Sequence, residues 1–195
     1  MNNIRSIFRT LGVILVLGIA ALGCQAEDTN SAAFDTPVKA EVTSSGETAP
    51  ELAWLSSPLV NVATKERFTL KELASQGKPV IINSFAVWCP GCSMQLLEST
   101  KLLTTYPDDY IVVALDIDPN ENADKVKRHQ ESNQFKGIFT TATTDVTRSL
   151  VNAYGPGFAL EIPQTIIITG KTATYLEDGV FTADTLKRAA DELRT

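Results

Sequence analysis

The chain has 195 residues, 44% of them hydrophobic and 21% charged, and it carries a net charge of −6. This composition is typical of a globular protein. The excess of acidic residues argues against nucleic acid as a partner, because neutralising phosphates needs a surplus of Lys and Arg. Three cysteines are too few for a small fold built around disulfides. The single histidine, His129, argues against a site made of several imidazoles.

The N-terminal segment has the pattern of a secretory signal peptide. Arg5 and Arg9 precede an uncharged stretch, Leu11–Gly23, that is shorter than the about 20 residues needed to cross a bilayer. Small residues followed directly by Cys24 resemble a bacterial lipoprotein signal, in which the cysteine is lipidated and becomes the new N-terminus. A plain signal peptide and an uncleaved anchor are the alternatives. We expect residues 1–23 to be a lipoprotein-type signal peptide, and every version places the domain outside the cytoplasm.

The next segment, residues 24–50, lacks any apolar periodicity. It is rich in Ala, Thr, Ser, Glu and Asp, and Lys39 is its one basic residue. Such a composition buries too little apolar surface to offset the entropy of ordering. We predict a flexible tether here, followed by one folded domain over residues 51–195.

Apolar runs and helical segments alternate through the predicted domain. Strands are predicted near residues 59–62 and 68, and at 80–85, 111–117, 165–169 and 172–177. Helices are predicted at 70–75, 89–106, 122–133, 146–154 and 182–193. This alternation implies an α/β domain with parallel strand pairs. The short turn at Gly170 makes the last two strands antiparallel, so the sheet is mixed.

The strongest chemical signal is the motif Trp88-Cys89-Pro90-Gly91-Cys92, which follows a buried strand and opens a helix. Free N–H groups and the positive end of the helix dipole stabilise a thiolate on Cys89. Pro90 lacks an N–H, which costs little in a first helical turn, and Gly91 allows close backbone approach. Cys89 would then attack a substrate disulfide, and Cys92, one turn deeper, would resolve the mixed disulfide.

Other uses of a Cys-x-x-Cys pair fit less well. Zinc needs two further ligands, but Cys24 is predicted to be lipidated and His129 alone cannot complete the set. A c-type haem site has His directly after the second cysteine, and this chain has Ser93. A purely structural disulfide between the two cysteines is a remaining alternative, although so short a loop constrains the unfolded chain little.

The segment Lys78–Cys92 resembles the thioredoxin superfamily, and most of all its membrane-tethered, TlpA/ResA-like thiol-disulfide oxidoreductases. The similarity extends over about residues 51–193, and the motifs at 49–52 and 68–73 also fit this branch. The resemblance implies a thioredoxin-like fold, with a central mixed β-sheet flanked by helices. It also implies a redox-active disulfide between Cys89 and Cys92, with no cofactor and no metal.

The resemblance assigns further residues to the site. Trp88 packs beside the disulfide in this family. The family's cis-proline loop corresponds to Ile162 and Pro163, and the backbone before the proline pairs with a substrate strand. The alternative is an ordinary trans-proline that opens a strand.

The sequence departs from the family at two positions linked to proton transfer. Asn83 stands where thioredoxin has a buried Asp, and Gln95 stands where some members have a functional Glu. Glu161, beside the predicted cis-proline loop, is a candidate proton acceptor, and a solvated loop acid is the alternative reading. Residues 157–160 are expected to form a lip beside the site.

The remaining polar residues are expected to be structural. His129 lies in a highly charged predicted helix, so we expect it on a solvated face. Asp116, Asp118, Glu121 and Asp124 lack an EF-hand spacing, and we interpret them as a strand end followed by an acidic helix start.

The resemblance implies a lipid-tethered, extracytoplasmic thiol-disulfide oxidoreductase at the periplasmic face or cell surface. It would reduce disulfides in exported proteins, such as apocytochrome c, and be re-reduced by a membrane-embedded thiol reductant of the DsbD/CcdA kind. A Cu(I)-binding metallochaperone is the alternative, although such proteins usually add a histidine near the site. A peroxidase of the superfamily would need a Thr-x-x-Cys loop, which this sequence lacks.

Overall fold

Five strands form one mixed sheet in the computed structural model, which describes residues 50–176 and 179–194. The strands are β3 (Val80–Phe85), β4 (Ile111–Asp116), β5 (Ile138–Thr141), β6 (Thr165–Thr169) and β7 (Thr172–Leu176), and a separate short antiparallel pair consists of β1 (Leu59–Val60) and β2 (Arg67–Phe68). The sheet order is β5-β4-β3-β6-β7. The first three strands run parallel, while β6 and β7 are each antiparallel to the strand before them in that order. The predicted α/β class with a mixed sheet is confirmed, while the predicted signal peptide and Cys24 lie outside the described residues.

In the described part of the chain, six α-helices accompany the strands, after a 3₁₀ helix at Pro50–Ser56. They are α1 (Leu70–Ala74), α2 (Pro90–Thr105), α3 (Ala123–Asn133), α4 (Thr144–Tyr154), α5 (Gly157–Leu160) and α6 (Ala183–Glu192). Side chains cap five of them by accepting backbone N–H groups. Cys89 caps α2, and hydroxyl or amide side chains, which contribute about 1 kcal/mol each, cap four others: Thr69, Asn122, Thr143 and Thr182. In the described ranges, no helix is both long enough and apolar enough to cross a membrane.

One sheet strand, β5, is absent from the sequence prediction. Its four residues contain two threonines, and their apolar run is too short to stand out from a loop. β5 is recognisable only through its partner, because it pairs in parallel with β4 at the sheet edge. Phe139 is fully buried there, so the omission removed part of the core from the predicted fold.

The two faces of the sheet carry different layers. On one face Val80 and Ile82 of β3 pack in a core with Trp54, Leu150 and Phe158. On the other, Ile81 packs against α6, and Phe85 packs beneath the start of α2 with Cys89, Cys92 and Leu96. Each fully buried aliphatic side chain contributes about 1.5–3 kcal/mol. This packing fixes the carboxyl end of β3 against the first turn of α2, where the Cys-x-x-Cys motif lies.

Candidate active site

Cys89 and Cys92 form a disulfide at the N-terminus of α2. Cys89 has extended backbone angles and caps the helix, with its Sγ accepting a hydrogen bond from the Cys92 N–H at 3.1 Å. Pro90 occupies the first helical turn, where its missing N–H is tolerated. Cys89 is 6% exposed, whereas Cys92 is fully buried. Of the two cysteines, only Cys89 keeps any exposed surface.

The loop around Pro163 faces the disulfide. The peptide bond between Ile162 and Pro163 is cis, and the Ile162 carbonyl oxygen lies 3.7 Å from Cys89 Sγ. A Cβ placed on Gly91 would lie 3.5 Å from Pro163 Cδ, in van der Waals contact, so the loop passes directly over this glycine. The structure thus brings Ile162 and Pro163, the two residues of the loop assigned by resemblance, next to Cys89 and Gly91.

Ser84 and Gln164 hold this loop from below, and sequence analysis missed both. The Ser84 N–H donates to the Gln164 carbonyl at 2.8 Å, and the Gln164 N–H donates to Ser84 Oγ at 2.9 Å. The buried Gln164 amide also donates to the Glu161 carbonyl and accepts from the Tyr175 hydroxyl. The sequence did hold a signal for Gln164, because it is a polar residue placed directly between Pro163 and a buried apolar strand.

Asn83 is fully buried, and its amide links three elements. Its Nδ2 donates to Ser99 Oγ of α2 at 2.9 Å, and its Oδ1 accepts from Thr165 Oγ1 of β6 at 3.1 Å. Gln95, the second departure from the family, is bound at both ends to the Phe181 backbone, at 3.3 and 2.7 Å. Both amides are therefore engaged in structural hydrogen bonds.

Glu161 lies at the surface, at the end of α5. One of its carboxylate oxygens lies 3.8 Å from where a Cβ on Gly157 would be, so the side chain turns back along this short helix. Within the described residues, no hydrogen bond joins its carboxylate to either cysteine. The residues expected to form a lip fold as α5, in which Leu160 is 79% exposed and Phe158 is buried in the core on the other face of the sheet.

Two acids of the β4–α3 loop bind the turn that leads into Cys89. The indole N–H of Trp88, whose side chain is 65% exposed, donates to Asp118 Oδ2 at 2.6 Å. The backbone N–H of Val87 donates to Glu121 Oε2 at 2.8 Å. The Trp88 bond is the largest cause of a pKa of Asp118 below its usual value. The interpretation of these acids as an acidic helix start is therefore incomplete. The available signal was an acid-rich loop at the carboxyl end of a strand next to β3.

His129 does not lie on a solvated face, and that prediction is wrong. Its ring stacks on Phe85, with ring centroids 6.1 Å apart, and meets the edge of Phe135 at 5.5 Å. Burial lowers the pKa of His129, and the nearby Glu121 charge opposes this in part. His129 thus packs against the cluster that contains both cysteines.

Metal-ligating side chains do not gather at the redox pair. Across residues 50–176 and 179–194, no group of three or more His, Cys, Asp or Glu side chains is placed to hold a metal ion. The two sulfur atoms of the Cys-x-x-Cys motif are bonded to each other as a disulfide in this structure.

Comparison with known proteins places the chain in a family. Residues 46–173 match the model of the AhpC/TSA family, whereas no curated protein sequence matches significantly. A thiol:disulfide interchange protein from Chlorobium tepidum superposes with a TM-score of 0.59 at 22% identity, covering 71% of this chain and 95% of that one. A secreted Mycobacterium tuberculosis disulfide oxidoreductase homologous to DsbE gives 0.55 at 13% identity, with 71% and 96% covered.

StoA from Bacillus subtilis gives a TM-score of 0.50 at 20% identity, covering 67% of this chain and 92% of that one. At these identities the likeness establishes the fold, and the predicted thioredoxin-like fold is confirmed. The chain belongs to the AhpC/TSA family, and its fold, with a disulfide between Cys89 and Cys92, is that of the thioredoxin-like thiol-disulfide oxidoreductases.

Proposed function

We propose that the protein exchanges disulfides with exported proteins through Cys89 and Cys92, acting as a reductant. The observation that carries the proposal is the Cys89 sulfur at the helix N-terminus, beside the Ile162 carbonyl. In the reduced protein the Cys89 thiolate attacks one sulfur of a client disulfide and forms a mixed disulfide, while the client's S–S bond breaks and its other sulfur leaves as a thiolate that takes up a proton. Cys92 then loses its proton, attacks the Cys89 sulfur and releases the client as a thiol.

The charges around Cys89 support the reducing direction. Strong oxidants of this superfamily owe their high potential to a stabilised reduced form. Here the Cys92 N–H is the one hydrogen-bond donor to Cys89 Sγ among the described residues, and no cationic group contacts it. The neighbouring turn is bound instead by the carboxylates of Asp118 and Glu121. Negative charge there disfavours the thiolate, which favours the disulfide form and a lower potential.

The surface around Cys89 supports an extended polypeptide as the substrate. The Ile162 backbone lies beside the reactive sulfur and can pair with a client strand, as it does by resemblance in the family. Trp88, directly before Cys89, provides exposed apolar surface, and Leu160 provides more two residues before Ile162. Exported proteins with exposed disulfides, such as apocytochrome c, are the proposed clients.

The cellular setting of this proposal comes from the sequence. A lipidated Cys24 and the tether would hold the domain at the outer face of the cytoplasmic membrane, within reach of a membrane-embedded thiol reductant of the DsbD/CcdA kind. The secreted relative from M. tuberculosis is consistent with an extracytoplasmic location. Mass spectrometry of the membrane fraction should find a diacylglyceryl adduct on Cys24, and a soluble mature protein with a free Cys24 would contradict the anchor.

Insulin reduction by dithiothreitol tests the proposed activity. The wild-type protein should accelerate insulin precipitation, and Cys89→Ser should abolish the acceleration. Cu(I) titration of the reduced protein and peroxide consumption are the comparison assays. Tight Cu(I) binding without insulin reduction would replace the proposal with the metallochaperone, and peroxide turnover without insulin reduction would replace it with a peroxidase.

A further inference from the structure

A group of carboxyls, two of them buried, lies next to the turn that presents Cys89. We define this carboxyl cluster as Asp116 at the end of β4, with Asp118 and Glu121 in the loop that follows. Asp116 is 1% exposed, and the Glu121 side chain has no exposed surface. Asp116 Oδ1 accepts from the Asp118 N–H at 3.1 Å. The cluster reaches the active-site turn through the hydrogen bond from the Val87 N–H to Glu121.

The second oxygen of Asp116 is the unusual feature. Asp116 Oδ2 is buried, and no donor from the described residues reaches it. The neighbouring Glu121 carboxyl is one of the groups that raise the pKa of Asp116, through its charge and through a hydrogen bond to the protonated form. Two ionised carboxylates in such a buried contact repel each other and lose their hydration, whereas one proton between them forms a hydrogen bond. A shared proton therefore accounts for the unsatisfied Asp116 oxygen.

We propose that Asp116 and Glu121 share one proton, and that this carboxyl pair positions the Cys89 turn and couples its protonation to the redox state of the disulfide. Glu121 is the positioning residue, because it binds the Val87 N–H two residues before Cys89. Asp116 sets how Glu121 is charged and oriented. The redox coupling deepens the exchange activity proposed above and rests on it, whereas the shared proton does not.

The charged groups around the pair are consistent with a proton held near neutral pH. Burial is the largest cause raising the pKa of Asp116 to about 7, and the Glu121 and Asp118 charges add to it. From α3, Lys125 lies 2.7 Å from Glu121 Oε1, and His129 also faces Glu121. The flanking strands β3 and β5 carry no charged residue. Among the described residues Lys125 therefore balances part of the charge, and Asp116 retains its proton well above the usual carboxyl range.

The coupling follows from where the two electrons and two protons go when the Cys89–Cys92 disulfide is reduced. A dithiol reductant supplies two electrons and two protons as it becomes a disulfide. The electrons break the Cys89–Cys92 bond, one proton forms the Cys92 thiol, and Cys89 is left as a thiolate. The second proton goes to solvent or, where the pair is deprotonated, to Asp116 and Glu121. A thiolate close to the pair favours its protonated form, so reduction should keep the shared proton in place to higher pH.

The Val87 amide provides a direct reporter of this pair. Its N–H donates to Glu121, so its chemical shift in ¹H–¹⁵N NMR should follow ionisation of the pair. Oxidised and reduced wild-type protein would be titrated from pH 4 to 9 beside Asp116→Asn, which keeps a hydrogen-bond donor toward Glu121 but cannot titrate. Asp124→Asn is the matched control, because it removes one exposed charge from the first turn of α3.

The expected midpoint of the Val87 titration in the oxidised protein is near pH 7, well above the ordinary carboxyl value of about 4. The midpoint should rise by about half a unit on reduction. Asp116→Asn should remove this inflection, and Asp124→Asn should retain it. A midpoint near 4, or an inflection near 7 that persists in Asp116→Asn, overturns the shared proton. Equal midpoints in the two redox states overturn the coupling.

The test of the carboxyl pair can be kept independent of whether the variant folds and of whether the protein exchanges disulfides. Should Asp116→Asn fail to fold, ¹³C NMR titration of the Asp116 carboxyl in the wild-type protein replaces it. A midpoint near 7 supports the shared proton, and a midpoint near 4 overturns it. The titration of the oxidised protein needs no exchange activity. Loss of insulin reduction would therefore count against the proposed function alone. A Val87 midpoint near the ordinary carboxyl value of about 4 would count against the carboxyl pair alone.

Discussion

Asn83 donates a hydrogen bond to Ser99 at 2.9 Å, and neither residue has any exposed surface. The bond ties β3 to α2 two helical turns behind Cys92. Together with the bond from Thr165 it satisfies an amide in an apolar layer. An ionised carboxylate at this position would lose hydration that two hydroxyls only partly replace. The amide thus favours stability over proton transfer to the resolving cysteine.

Asn83→Asp should speed insulin turnover and destabilise the reduced protein. The new carboxyl gives Cys92 a buried group able to accept its proton, and burial should raise the pKa of that carboxyl above its unfolded value. The cost is about 1.4 kcal/mol per unit of pKa rise. It is absent below about pH 4 and fully present above the raised pKa. Urea titrations at pH 4 and pH 8 measure it, with exposed Asn152→Asp as the control. Unchanged turnover would refute this account of Asn83.

Cys92→Ala should trap mixed disulfides with client proteins, and Cys89→Ala should not. Cys89 retains exposed surface, whereas Cys92 has none, so only Cys89 can meet a client disulfide. Non-reducing electrophoresis followed by mass spectrometry of the trapped species measures this. Equal trapping by the two variants would show that the roles are assigned wrongly.

Gln164→Ala should lower both stability and exchange rate. The substitution removes the donor to the Glu161 carbonyl and the acceptor for Tyr175. Losing such buried bonds costs about 1–3 kcal/mol, and the Ile162 backbone loses its support beside Cys89. Urea unfolding and insulin turnover measure the two effects, with the exposed Gln76→Ala as the control. A stable variant with normal turnover would show that this anchor is not needed.

Glu161→Gln should leave resolution of the mixed disulfide within about twofold of wild type. The Glu161 carboxylate is directed toward α5, away from any hydrogen bond with a cysteine in the described structure. Rapid-quench measurement of client release from a preformed mixed disulfide gives this rate. A tenfold loss, about 1.4 kcal/mol of barrier, would make Glu161 the proton acceptor and contradict the interpretation of Asn83.

The fold was predictable where local patterns agree with tertiary packing. β3 begins with three β-branched residues, Val80–Ile82, and is buried along its whole length. The helix after it is marked by Cys89 as the cap and by Pro90 in its first turn. β5 was not predictable in this way, because Thr140 and Thr141 gain their strand conformation from pairing with β4.

The candidate site was predictable at its cysteines and less so around them. The bonds from Trp88 to Asp118 and from Val87 to Glu121 join residues at least 30 positions apart. No local pattern encodes these contacts. His129 was misplaced for the same reason: its charged neighbours in sequence suggest solvent, while its packing partner Phe85 comes from a distant strand.

The equilibrium potential of the Cys89–Cys92 pair, measured against glutathione buffers at pH 7, tests the central claim most directly. Potentials in this superfamily range from about −270 mV for thioredoxin to about −120 mV for its strong oxidant. A reductant whose thiolate has no cationic partner should lie below about −200 mV. A potential less negative than this, or a pair that does not equilibrate with glutathione, would contradict the proposed reductive exchange.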